Sequence, residues 1–218
     1  MHSNNMANTD FSLTDVTDAD IPAMVDMTLE GWADDGVWQG MMRNVARKDS
    51  YDLLARIHKA RVGKPGGKYF GIREKDTGKL VAWTALFYPQ PDQPAGQKKS
   101  MPKPDIRGMD EHMATIFFGT LMRASGRYGY DPAEHFHRRG TFTHADYQRR
   151  GFATWLTQHC NAIADEAGRA TFVGCRPASK GVFEKCGFRV VAAIDVDVKG
   201  DGSEMDVQYV MRREPEAK

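Results

Sequence analysis

Two stretches of the chain hold residues whose types and spacing could do chemistry. In the first, Gln148-Arg149-Arg150-Gly151-Phe152-Ala153-Thr154, a turn runs into the start of an amphipathic pattern. A helix start leaves backbone N–H groups without intrahelical partners, at the positive end of the helix dipole. Gly151 and Ala153 have little or no side chain, so an anion can come close to that backbone, and Arg149 and Arg150 add positive charge. This is a phosphate cradle built without a Walker lysine. The run Gly63-Lys64-Pro65-Gly66-Gly67 lacks the Walker spacing and the hydroxyl residue after the lysine, and reads as a turn.

The second stretch runs from Glu134 to His144 and carries His135, His137, Arg138, Arg139 and His144. By the two-residue period His135 and His137 share a strand face. Two histidines at that spacing can chelate, but no third ligand has a recognisable spacing, and no metal site is expected. Glu134, Arg138 and Arg139 read as a solvated or ion-paired edge. Cys175 could be a nucleophile, though a small packed residue is the plainer reading.

The elements that must position these residues follow from patterning. Phe11–Val16 alternates as a strand, and Thr17 or Asp18 caps a helix from about Asp20 to Trp32. A second helical region breaks near Asp49-Ser50, with Ser50 expected to cap Tyr51–Arg61. Lys68–Glu74 and Lys79–Tyr88 form a hairpin around Asp76-Thr77-Gly78. Residues 89–108 read as a mobile loop, and Asp110 caps one inserted helix, Glu111–Ser125. A strand from about His135 to Thr143 leads into the cradle and its helix, on which Phe152, Leu156, Cys160, Ile163 and Ala167 recur and Gly168 caps. The strand Ala170–Cys175, a short helix from Pro177 to Gly187, and a hairpin of Arg189–Val198 with Met205–Arg212 complete the pattern. Residues 11–213 read as one domain between short tails at 1–10 and 214–218.

Composition narrows the function classes. The chain of 218 residues is 41% apolar and 27% charged, with a formal net charge of +1, so no global charge points to nucleic acid or an anionic membrane. No apolar run approaches a transmembrane length, and the start lacks the apolar core of a signal peptide. Cys160, Cys175 and Cys186 are odd in number and show no Cys-x-x-Cys pairing, which fits reduced thiols and a cytoplasmic location.

Gln148-Arg149-Arg150-Gly151-Phe152-Ala153 resembles the Gln/Arg-x-x-Gly-x-Gly/Ala signature of the GCN5-related N-acetyltransferase (GNAT) superfamily, whose loop binds the pyrophosphate of acetyl-coenzyme A. Phe183-Glu184-Lys185-Cys186-Gly187-Phe188 resembles that family's Tyr-Glu-Lys-x-Gly-Phe segment, in the right order and at a plausible separation. The resemblance is specific over Thr141–Val191 and topological before it. It implies an α/β (α+β) fold with a central mixed, mostly antiparallel sheet flanked by helices and splayed at the acyl-CoA site.

The same resemblance implies the activity: direct transfer of acetyl from acetyl-CoA to the primary amine of a small molecule. Gln148, Arg149, Arg150, Gly151, Phe152, Ala153 and Thr154 would hold the pyrophosphate, and backbone groups of Phe142 and Thr143 the pantetheine arm. His137 would relay the amine's proton, with His135 second, or either is a structural histidine. Phe183 departs from the family, because the tyrosine hydroxyl that protonates the leaving thiolate is missing; Ser179 or water is left nearby. The rival is an acyl-CoA-binding module that has lost catalysis. A protein acetyltransferase finds no recruitment module or acidic groove to support it. The oligomeric state stays open, a homodimer included.

Overall fold

The computed structural model describes residues 9–92 and 104–216, so most of the loop expected at 89–108 and the outermost residues of both tails lie outside the described residues. Seven strands form one sheet in the order β1-β2-β3-β4-β5-β7-β6: β1 Phe11–Asp15, β2 Gly67–Glu74, β3 Leu80–Phe87, β4 Phe136–Thr143, β5 Thr171–Cys175, β6 Arg189–Asp197 and β7 Met205–Arg213. All neighbours are antiparallel except β4 and β5. The sheet is open, mixed and mostly antiparallel, with helices on both faces, as expected from the sequence.

Alternation along the strands makes two cores. Tyr69, Trp83, Ala85 and Phe142 face helices α1 (Ile21–Gly31), α2 (Gly36–Met42) and α3 (Arg47–Lys59). Phe70, Leu86 and Phe136 face α6 (Phe152–Glu166), whose buried Phe152, Leu156, Cys160 and Ala164 recur at helical spacing. A third cluster joins Val173, Cys175 and Met211 to Phe183 on α7 (Pro177–Lys185).

Three expectations about helices change. α3 begins at Arg47 after Ala46, and Ser50 is buried inside its first turn, with its N–H donating to the Ala46 carbonyl at 3.2 Å, so Ser50 is not the cap. The helix caps of the first segment move as well: Thr17 precedes a short 3-10 turn, Asp18–Asp20, and donates its N–H to Asp20 at 2.8 Å. The inserted helix is not regular. Asp110 does cap α4 (Glu111–Ala114), through a 2.8 Å bond from the Met113 N–H. A π-helical stretch, Thr115–Thr120, then a 3-10 turn, Leu121–Arg123, and α5 (Ala124–Arg127) follow. Gly119 lies in the wide turn, where its poor helix propensity lets the ladder slip, and Phe117 and Phe118 pack edge to face at 5.0 Å.

The feature that positions the site is the parting of β4 from β5. They pair only at Phe136–Thr171, His137–Phe172 and Arg138–Val173. On the other side of β4, Thr84 pairs with Thr141 and Ala85 with Arg139, so Gly140 is the extra residue of a bulge, with φ +70°. A bulge bends and twists its strand, and here it turns β4 away from β5 just past their last pair. An added Cβ at Gly140 would stand 2.6 Å from Trp83 Cη2. Gly140→Val therefore meets both left-handed strain and a clash, and should destabilise by about 2–3 kcal/mol, lowering Tm by roughly 5–10 °C in a thermal melt.

Candidate active site

The cradle is built as its residue types require. Arg149 has φ +65° and Gly151 φ +83°, so two left-handed residues fold the loop onto the N-terminus of α6, where Gly151 is the cap. No atom lies within 4 Å of where a Cβ on Gly151 would be, and this position opens to solvent. Phe152 is buried against Phe11, ring centroids 4.8 Å apart, so it anchors the helix start and offers only its N–H. Arg149 and Arg150 are exposed; Arg150 stacks on Tyr147 at 5.0 Å and donates to the Asp146 carbonyl at 3.4 Å. Gln148 donates to the Thr143 carbonyl at 3.4 Å, bracing the loop against the end of β4. Ala153 and Thr154 are partly exposed in the first helical turn. The exposed Arg149 and Arg150 bring positive charge beside the N–H groups at the start of α6, while Gln148 is already engaged through its backbone N–H to the Ala145 carbonyl and its side chain to the Thr143 carbonyl.

A cavity of about 250 Å³ runs through the parting of the strands. Its lining includes His137, Phe142, Ser179 and Phe183, but not His135 or Thr143. His135 lies outside β4; its Nδ1 accepts from the Asp131 N–H at 2.9 Å and its ring packs on Phe172 at 5.1 Å. The structure therefore separates the two histidines: His137 reaches the cavity and His135 is tied into a turn. His144 is also remote from the cavity, accepting from the Asp146 N–H at 3.3 Å.

His137 is buried, with Nε2 3.0 Å from the Ser125 hydroxyl and its ring edge-on to Tyr130 at 4.7 Å. Nδ1 has no partner among the described residues. Burial, and secondarily the charge of Arg139, push its pKa down to about 3, well below the near-neutral value expected for it. The imidazole is neutral at ordinary pH. Cys175 is buried with Sγ 3.4 Å from Met211 Sδ, and burial pushes its thiol up to about 12, which removes it as a nucleophile at neutral pH.

The larger correction concerns Arg138. It was expected on a solvated edge, yet it is 1% exposed, among the largest fully buried side chains. Its Nη2 donates to the hydroxyls of Thr84 at 2.7 Å and Thr141 at 2.9 Å. Nε and Nη1 have no partner among the described residues, and the guanidinium lies over the Phe183 ring at 5.3 Å. Glu134 does follow the edge reading, pairing with Arg169 at 2.6 Å. The sequence held the missed signal: a central strand is covered on both faces, so adjacent arginines in it must turn one side chain into each core.

On the opposite face the cavity is walled by Trp32, Trp38, Tyr69, Trp83, Phe117 and Phe118. His58 sits among them, edge-on to Trp83 at 5.0 Å, with neither ring nitrogen partnered. Burial first, and Arg61 second, lower its pKa to about 4. Arg176 ties the two sides together. Its Nη2 donates to the Gly31 carbonyl at 2.6 Å, and its Nε lies 3.5 Å from Asp35, which caps α2 through the Trp38 N–H at 2.6 Å.

Fold and site together place a glycine-capped helix start on the loop that leaves β4, beside a splayed, mostly antiparallel sheet. The family model for the acetyltransferase (GNAT) family matches residues 36–188, and the chain belongs to that family. No curated protein matches the chain. Among solved structures, the C-terminal condensation domain of Ebony in complex with beta-alanyl-dopamine superposes with TM-score 0.69 at 14% identity, over 94% of this chain and 98% of that one. A histone acetyltransferase HPA2 and related acetyltransferase from Corynebacterium glutamicum gives 0.61 at 16% identity, over 96% and 98%. The yncA structure from Salmonella typhimurium, with its cofactor acetyl-CoA, gives 0.57 at 15% identity, over 96% of each chain. Among the described residues no helix is long and apolar enough to cross a membrane.

The two buried histidines set a pH dependence. Both have folded pKa values below the unfolded value of about 6.5, so between about pH 4 and 6.5 the unfolded chain binds more protons. Their contribution to stability is complete above pH 6.5 and is lost as pH falls. Melting temperature should drop on going from pH 6.5 to 4, and His58→Phe, which removes one of the two groups, should make that drop shallower in a pH series of thermal melts.

Proposed function

We propose that the protein transfers an acetyl group from acetyl-CoA to the primary amine of a small molecule by direct attack. The observation that carries this reading is the parting of β4 from β5 beyond Arg138 and Val173, with a cavity through it and an anion cradle on the loop that leaves β4. When bound, acetyl-CoA supplies an acetyl group activated as a thioester. The N–H groups at the start of α6, with Gln148, Arg149 and Arg150, hold its pyrophosphate. Phe142 and Thr143 offer the backbone edge of β4 that β5 has left, which the pantetheine arm pairs with as an added strand would.

Within the cavity the apolar walls exclude water, and the chain's own charges do the rest. Arg138 stands beside Phe183, where a hydroxyl is missing, and its fixed positive charge stabilises the sulfur as the carbon–sulfur bond breaks. Ser179 lines the same region. His137, neutral at working pH, takes the proton that the amine loses on attack. The second reading, binding without turnover, is favoured by the absent Phe183 hydroxyl and by the weak basicity of His137.

Thiol release from acetyl-CoA over a panel of amines separates the two, since the binding module gives none with any amine. Gly151→Glu places bulk and negative charge in the cradle while its side chain points into open space. It should abolish acetyl-CoA binding in calorimetry with the fold intact by circular dichroism; unchanged affinity would mean the cradle is elsewhere.

Substitutions in the cavity divide the chemical roles. His137→Gln should lower kcat roughly 10²-fold, at the low end of general-base effects because its pKa is so depressed, and leave the KM for acetyl-CoA unchanged. Arg138→Met should lower kcat by about 10²–10³. Parental kcat in either variant would remove that residue from the mechanism.

A further inference from the structure

We propose that the amine acceptor is an aliphatic primary amine that carries both an aromatic ring and a carboxylate, the chemistry of an aromatic amino acid, seated in the half of the cavity walled by α1, α2, α3 and the π-helical stretch. The inference deepens the acetyl-transfer reading and rests on it for the identity of the attacking group.

Three observations point to this class. The walls are rings: Trp32 packs on Trp38 at 4.5 Å, Trp83 on Phe142 at 5.2 Å, and Phe117 stands edge-on to Trp32 at 6.1 Å. A flat apolar body fits such walls by stacking and edge contacts. Apart from Asp35, the polar groups among the described lining residues are cationic or neutral. Arg139, the first β4 residue beyond the last pair with β5, lines the cavity, lies over the Phe87 ring at 5.3 Å, and has no carboxylate partner among the described residues. Arg61 lines the cavity too, and donates to the Tyr69 hydroxyl. Asp35 is the one carboxylate in the lining, and it is buried against the Trp38 N–H and Arg176. Buried polar atoms also lack partners among the described residues: the Trp83 Nε1 donor, 2% exposed, and both nitrogens of His58, 6% exposed, one a donor and the other an acceptor in the neutral ring. Buried polar groups without partners are costly, and a ligand that supplies acceptors relieves them.

A polyamine carries several positive charges and meets Arg61 and Arg139 with Asp35 already engaged by Arg176, so this cavity discriminates against it. Arg139 sits where the strands part, so a carboxylate one carbon from the attacking amine falls to it while the ring extends among the tryptophans.

Trp32, Trp38 and Trp83 report occupancy by fluorescence, independently of turnover. L-Phenylalanine, phenethylamine, L-alanine and spermidine should be titrated into the intact protein, and each then offered with acetyl-CoA in the thiol-release assay. Phenylalanine should bind roughly 10–100-fold more tightly than phenethylamine or alanine, the range expected for one charge-assisted contact, and spermidine should bind weakest. Arg139→Gln should erase the preference for phenylalanine over phenethylamine and leave phenethylamine within twofold; Arg139→Lys should keep part of the preference. Equal or tighter binding of spermidine or alanine would overturn the proposal, as would an Arg139→Gln variant that weakens phenylalanine and phenethylamine alike. The predicted binding order without thiol release would support the pocket assignment and defeat the acetyl-transfer reading alone.

Discussion

The rest of the site depends on one constraint: β4 must pair with β5 for three residues and then leave it. Parallel strands that stayed paired would close the sheet and bury the backbone edge that a ligand can use. The bulge at Gly140 enforces the departure, because the extra residue takes a left-handed conformation that only glycine adopts without strain, and because Trp83 packs where any side chain would go. The same bulge shifts the alternation of β4. Arg138 and Thr141, three residues apart, face the same core and share a hydrogen bond, while Arg139 and Phe142 face the other.

Burial then determines the chemistry of each polar group near the parting. Arg138 is held by two hydroxyls rather than a carboxylate, so its charge stays uncompensated within the protein. Burial lowers the pKa of all three basic groups, and His58 and His137, which start far lower than the guanidinium, remain neutral. A fixed cation together with neutral imidazoles is an environment suited to negative charge on a ligand and poorly suited to a cationic one. The removal of Cys175 from chemistry follows from the same cause, since burial disfavours the thiolate as it disfavours the imidazolium.

Much of this was legible in the sequence. Strands and helices with strong periodicity fell where the pattern placed them, as in Phe152–Glu166, where Phe152, Leu156 and Cys160 are buried as expected, although Ala164 rather than Ala167 completes the buried face. The geometry of the loop before α6 could be read because it is local: a turn, a glycine and a helix start lie within seven residues. What could not be read depended on distant packing. Ser50 has the chemistry of a cap but lies three residues inside a helix whose start is set by the chain before it. The helix expected from Glu111 to Ser125 has the right apolar spacing, yet the aromatic packing of Phe117 against Trp32 and Trp38 accompanies a wider turn. The two arginines of β4 look alike in sequence, and only the bulge and the two cores distinguish them.

Arg176 gives the molecule a mechanical connection with kinetic meaning. It leaves the start of α7 and holds the Gly31 carbonyl and the Asp35 carboxylate, where α1 gives way to α2 across the cavity. A single side chain therefore spans the two halves of the cavity. Ligand contacts that favour one placement of α7 also favour one placement of the α1–α2 junction, and by thermodynamic reciprocity the coupling has the same size whichever ligand enters first. In a two-substrate enzyme built this way, either ligand would change the affinity for the other by one shared factor.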